Sequence, residues 1–168
     1  MRSGKQYEMN EQNLWSILDE VKDPEIPVIS LVDLGVVRKA ILVDGNPIVT
    51  ITPTYSGCPA MRVMEEDIEV RLKMAGYKSI QIETVLSPAW TTDWITEKGR
   101  KALQEYGIAP PEQSTSDKSA LLGHPKQVTC PNCKSPETKM LSQFGSTPCK
   151  ALYQCNDCKE PFDYFKCI

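Results

Sequence analysis

Two short pairs of cysteines restrict the fold of this chain more than any other feature: CPNC at 130–133 and CNDC at 155–158. Each Cys-x-x-Cys turn points two thiolates to one side. Two such turns joined by a hairpin form the tetrahedral sulfur cage that zinc prefers. The interval between the pairs is slightly longer than the usual ribbon spacing, an insertion that a ribbon's tip tolerates. A segment of roughly 40 residues has too little core to fold alone. Zinc held by Cys130, Cys133, Cys155 and Cys158 is therefore expected to supply folding free energy on the order of 10 kcal/mol. The competing reading, a redox-active Cys-x-x-Cys, needs one pair and leaves the second without a role. Cys149 and Cys167 stay open between buried structural thiols, alternative ligands and a second metal-responsive pair.

The cysteines are unevenly spread: one of seven, Cys58, precedes residue 130. The stretch PPEQSTSDKSALLGHPKQ between the two regions has a linker's composition. The expected organisation is a domain over 7–109, a linker over 110–126 and a zinc ribbon over 127–168. Seven cysteines without an apolar N-terminal run in MRSGKQYEMN point to a cytoplasmic protein with metal-binding or reactive thiols, no signal peptide and no membrane contact. From Lys126 onward six lysines face four carboxylates, and a four-thiolate zinc adds two negative charges. That leaves no electrostatic footprint for nucleic acid. Phe162, Tyr164 and Phe165 are expected in the ribbon core or at a protein contact.

In the first domain, Leu14, Ile17, Leu18 and Val21 follow the i, i+3, i+4, i+7 pattern of an amphipathic helix, with Asn10 or Asn13 as N-cap. Residues 36–43 and 48–52 predict strands around DGNP, a hairpin signal. After Pro59 a helix carries Met61, Met64, Ile68, Leu72 and Ala75 on one face and stops at Gly76. A strand over 79–86 follows, then a last helix capped by Thr91 or Thr92 and closed by Gly107. The order α-β-β-α-β-α predicts an α+β domain, a small three-stranded sheet covered by helices, followed by the ribbon.

Cys58, in TPTYSGCPAM, falls where a strand turns into a helix. Proline favours the first helical position, which places the thiol near the N-cap, where free N–H groups and the helix dipole are expected to lower its pKa. A buried structural cysteine at an ordinary turn is the alternative. The chain's single histidine, His124, sits in the linker, which argues against a histidine-assisted cysteine hydrolase. A cysteine phosphatase needs an arginine where Met64 stands, and a thiol–disulfide enzyme needs a second nearby cysteine. What survives is one thiolate for a soft metal or a cluster, within one chain or shared between two in a homodimer.

DPEIPVISLVDLGVV, TPTYSGCPAM and SPAWTTDWITEKGRKALQEYGIAPP resemble the small domain of cytosolic iron–sulfur assembly factors and of SufT. With the ribbon and the ending CKALYQCNDCKEPFDYFKC, the chain resembles the PaaD family, encoded with phenylacetyl-CoA epoxidase. The resemblance implies a non-catalytic helper that matures an iron–sulfur or iron site. Cys58 would hold or pass on iron or a transient cluster, and Asp23 and Glu25 of the family's acidic segment would shape that site. Trp90, Thr91, Thr92, Asp93 and Trp94 match a stretch typical of the subgroup. The implied partners are epoxidase components, above all the reductase with its flavin and [2Fe–2S] cluster, and the iron–sulfur assembly machinery. The rival readings are a scaffold that never touches metal and an accessory oxygenase subunit. The chain contains no Glu-x-x-His di-iron motif and no dinucleotide-binding glycine fingerprint.

Overall fold

The computed structural model describes residues 10–111 and 127–166. Cys167 and most of the expected linker lie outside the described residues. The chain divides into two compact units, one ending at Trp90 and the other beginning at Thr91.

The first unit opens with helix α1, Glu11–Leu18, capped by Asn10, whose side chain accepts the Asn13 N–H at 2.8 Å. Its Leu14, Ile17 and Leu18 are buried. Strands β1, Val37–Val43, and β2, Asn46–Ile51, form an antiparallel hairpin closed by Val43 opposite Asn46. The two turn residues, Asp44 and Gly45, both have positive φ (51° and 77°). That combination matches the right-handed twist of the strands, and aspartate followed by glycine adopts it at low cost. Helix α2, Met61–Met74, then carries the chain to β3, Gln81–Thr84, which lies parallel to β2. The sheet order is β1-β2-β3. Met64, Ile68 and Leu72 of α2 are buried, and each such side chain contributes about 2 kcal/mol of burial. Gly76, with φ 104°, ends the helix as expected.

The expected last helix is two elements. Thr91 caps a short 3-10 turn, Thr92–Trp94, and Thr96 caps helix α3, Glu97–Glu105. Ile95 between them is extended (φ −69°, ψ 126°), and the Thr96 side chain accepts the Gly99 N–H at 3.0 Å. A second threonine cap restarts the helix where the first turn has run out.

Strand β4, Ile108–Ala109, follows and pairs parallel with β7, Pro161–Phe165. With β5, Thr138–Ser142, and β6, Lys150–Cys155, these make a four-stranded sheet in the order β4-β7-β6-β5. Residues 91–109, expected in the first domain, thus belong to the compact unit that contains the ribbon. Its core is Ala109, Val128, Cys130, Ala151, Tyr153, Cys155, Phe162 and Tyr164. Phe162, Tyr164 and Phe165 are all buried, so of the two roles open to them they fill the core. No helix among the described residues is long and apolar enough to cross a membrane.

Candidate metal sites

The four ribbon thiols converge. The sulfurs of Cys130, Cys133, Cys155 and Cys158 all lie within 4.8 Å of one another. Cys130 and Cys158 are 3.8 Å apart, and Cys133 and Cys155 are 3.5 Å apart. A tetrahedron with zinc–sulfur arms of about 2.3 Å has edges of about 3.8 Å, so the donor set fits a four-coordinate zinc in both type and size. Two backbone turns hold it. The Cys130 N–H donates to Ser135 O at 2.9 Å, and the Cys155 N–H donates to Glu160 O at 3.0 Å. Ser135 Oγ, buried, donates to Asp157 and ties the first turn to the second. Cys130 and Cys155 are buried, Cys158 is half-buried and Cys133 is exposed.

The thiols do not behave alike. Burial raises Cys155, but the N–H groups of Cys158 and Asp157 and the neighbouring thiols outweigh it and bring the pKa down to about 7. At Cys158 the Glu160 N–H lowers the pKa, yet burial and the thiols of Cys155, Cys133 and Cys130 push it up to about 12. Four thiols this close cannot all ionise without a cation among them. Cys149 is not in this cluster; it is buried just before β6, with Thr147 Oγ1 at 3.0 Å from its sulfur. Cys155 closes β6, roughly 20 Å further along at strand rise.

The other expected residues, Asp23, Glu25 and Cys58, lie in the first unit. Asp23 is buried and fixed: its N–H donates to Ile29 O at 3.0 Å, and its Oδ1 accepts the N–H groups of Glu25 and Ile26 at 2.9 and 2.7 Å. This turn holds Glu25, half-buried, beside its own aspartate. Cys58, half-buried, sits in the loop between β2 and α2. Its N–H donates to Tyr55 O at 3.2 Å, and its carbonyl accepts the Met61 N–H at 3.4 Å. The charges of Glu25 and Asp23 reach the Cys58 thiol, but among the described residues the four ribbon cysteines are the group close enough to hold a metal ion, and these three are not part of it.

The direction of that action overturns the expected acidic thiol. Burial pushes the Cys58 pKa up, and the carboxylates of Glu25 and Asp23 push it the same way; the Ala60 N–H and the Tyr55 side chain oppose them without prevailing. The N-cap of α2 is Ala60, two residues beyond the sulfur, so only the outermost helical field reaches it. Burial, with these carboxylates, thus disfavours a free thiolate at Cys58. Tyr55 and the Ala60 N–H were not legible as parts of the site. A cavity of 470 Å³ in the second unit, lined by Glu97, Arg100, Gln104, Pro110, Val128 and Tyr164 among others, has no cysteine in its wall.

The chain is made of two kinds of module, an iron–sulfur assembly domain and a zinc ribbon. A family model described as an iron-sulfur cluster assembly protein matches residues 11–84, and one described as the PaaD zinc beta ribbon domain matches residues 114–166. The chain is 46% identical to a protein of Escherichia coli (strain K12) named as one of the subunits of a "Putative 1,2-phenylacetyl-CoA epoxidase", over 92% of each chain. It therefore belongs to the PaaD family. A protein of Porphyromonas gingivalis (strain ATCC BAA-308 / W83) named "Fe-S protein maturation auxiliary factor" is 32% identical over 61% of this chain and 96% of its own. Among solved structures, the "Domain of Unknown Function DUF59" of Bacillus anthracis superposes with a TM-score of 0.52 at 27% identity, over 55% of this chain and 90% of its own.

Proposed function

We propose that this protein is a non-catalytic, cytoplasmic maturation factor for phenylacetyl-CoA epoxidase that assists the insertion of an iron–sulfur cluster, or of iron, into the reductase component. One observation supports the reading: the charges of Asp23 and Glu25 act on a single cysteine, Cys58, in a domain of the iron–sulfur assembly type. A thiolate suits iron–sulfur species and carboxylates suit ferrous iron. The cargo is the substrate, and its arrival displaces the Cys58 proton, so loading is favoured as pH rises. Zinc on Cys130, Cys133, Cys155 and Cys158 shapes the ribbon for contact with the client. The test is to purify the reductase from cells with and without this protein and compare its visible cluster spectrum and iron content. Depleted cluster without the protein is the expected result. Equal loading excludes the reductase as client and moves the same comparison to the di-iron component.

The name of the Escherichia coli relative favours a second reading, an accessory subunit that remains in the active oxygenase complex. Stoichiometric co-purification with active epoxidase supports it, and transient association counts against it.

A further inference from the structure

Among the described residues the ribbon sheet ends at strand β5. In the order β4-β7-β6-β5, strand β5 pairs with a strand on one side only among the described residues, and Gln127 and Val128 reach its first end through Pro136 O and Thr138 Oγ1. Its residues Lys139–Ser142 are all exposed. Three large apolar side chains cluster there: Met140 is 41% exposed, Leu141 49% and Phe144 60%. The register sets Phe162 opposite Tyr153, and Tyr153 opposite Met140, so one row of side chains crosses β7, β6 and β5. The Phe162 and Tyr153 rings stack at 5.9 Å. This row is buried at its first two members and opens to solvent at Met140.

Within the strand the charge has one sign, although the exposed Glu137 immediately precedes it. Lys139, opposite Gln154, faces the other side of the sheet from Met140. The Lys166 ammonium lies 4.4 Å from the centre of the Phe144 ring and donates to Gln143 O. No carboxylate occurs from 138 to 144. A register shift between Met140 and Ser142 disturbs the edge at Leu141, a device that discourages indiscriminate strand pairing.

We propose that β5 receives an extended segment of the client protein as a fifth strand, and that this segment alternates apolar residues, beside Met140, with carboxylates, beside Lys139. Backbone hydrogen bonds along the edge hold such a strand, and alternate side chains select it. A second copy of β5 suits the edge less well, because it adds a second Lys139 and Lys166 and no carboxylate from 138 to 144 to offset them. The proposal deepens the client contact in the function proposed above and rests on that reading for the client's identity.

The test uses the full zinc-loaded chain and two short fluorescent peptides, one alternating valine with glutamate and one alternating valine with lysine. The glutamate peptide is expected to bind about tenfold tighter than the lysine peptide and to slow amide exchange over residues 138–142. Met140→Glu should weaken it about tenfold, and Lys139→Glu should reverse the preference between peptides. Both positions are exposed, and zinc content checks the fold; if Met140→Glu fails to fold, Met140→Thr replaces it. Absence of saturable binding, equal affinity for both peptides, or exchange protection confined to other segments overturns the proposal. So does a dimer of the chain that Met140→Glu dissociates, which assigns the edge to a second copy. Cys58→Ser should bind the peptide as the unaltered chain does. Loss of the peptide preference with cluster delivery intact removes this inference alone, and intact preference with delivery independent of Cys58 removes the function proposed above alone.

Discussion

Lys134 and Lys159 occupy the same place in the two cysteine turns. Each follows the second cysteine of its pair, with left-handed backbone at φ 64° and 66°. Each ammonium returns to the carbonyl just after the first cysteine: Lys134 to Pro131 O at 2.7 Å and Lys159 to Asn156 O. Two cations are thus tied into turns that carry four thiolates once metal is bound. Changing both lysines to glutamine is expected to weaken zinc retention about tenfold in chelator competition, as losses of outer partners do. Lys134→Gly keeps the left-handed turn and should weaken retention in the same direction. Tighter zinc in Lys134→Gly would assign the lysine's effect to backbone strain.

Serine at any one of Cys130, Cys133, Cys155 or Cys158 is expected to abolish stoichiometric zinc and unfold the ribbon strands. Cys130 and Cys155 are core residues as well as donors, so the metal and the core fail together. The first unit, with its own buried core, should keep its cooperative transition. Metal analysis and thermal unfolding followed by two probes check this. Cys149→Ser, outside the cluster, should keep the zinc.

Cys58→Ser is expected to leave both the fold and the zinc intact, because Cys58 is a half-buried loop residue. Support of the epoxidase should nevertheless collapse. Growth on phenylacetate as sole carbon source with only the mutant present is the measurement. Growth at the unaltered rate would favour a scaffold that never handles metal.

Alkylation should report a Cys58 thiol less acidic than an ordinary cysteine. Burial raises the folded pKa, with Glu25 and Asp23 acting in the same direction, so the fold prefers the protonated form. That preference stabilises the fold fully below the unfolded thiol's pKa and is lost as pH rises through the folded value. Glu25→Gln should shift the midpoint of the iodoacetamide rate profile to lower pH, while Asp67→Asn, on the exposed surface of α2, should not. An unchanged midpoint in Glu25→Gln would separate the carboxylate from the thiol.

Much of this protein was legible in its sequence, because the signals act over a few residues. Asn10 caps α1, Asp44 and Gly45 turn the hairpin, Gly76 stops α2, and the two Cys-x-x-Cys pairs form the four-sulfur cluster. Each depends on a neighbouring hydrogen bond, a tolerated φ or a fixed spacing. Tertiary structure alone decided three further matters. The pairing of Ile108 with Asp163 draws β4 into the ribbon sheet, a contact between distant residues that no local pattern encodes. The thiol at Cys58 is raised and not lowered, because burial and two carboxylates from another segment outweigh the nearby helix terminus. Met140 is open while Tyr153 beside it is buried, since strand order, and not composition, determines which strand forms the edge.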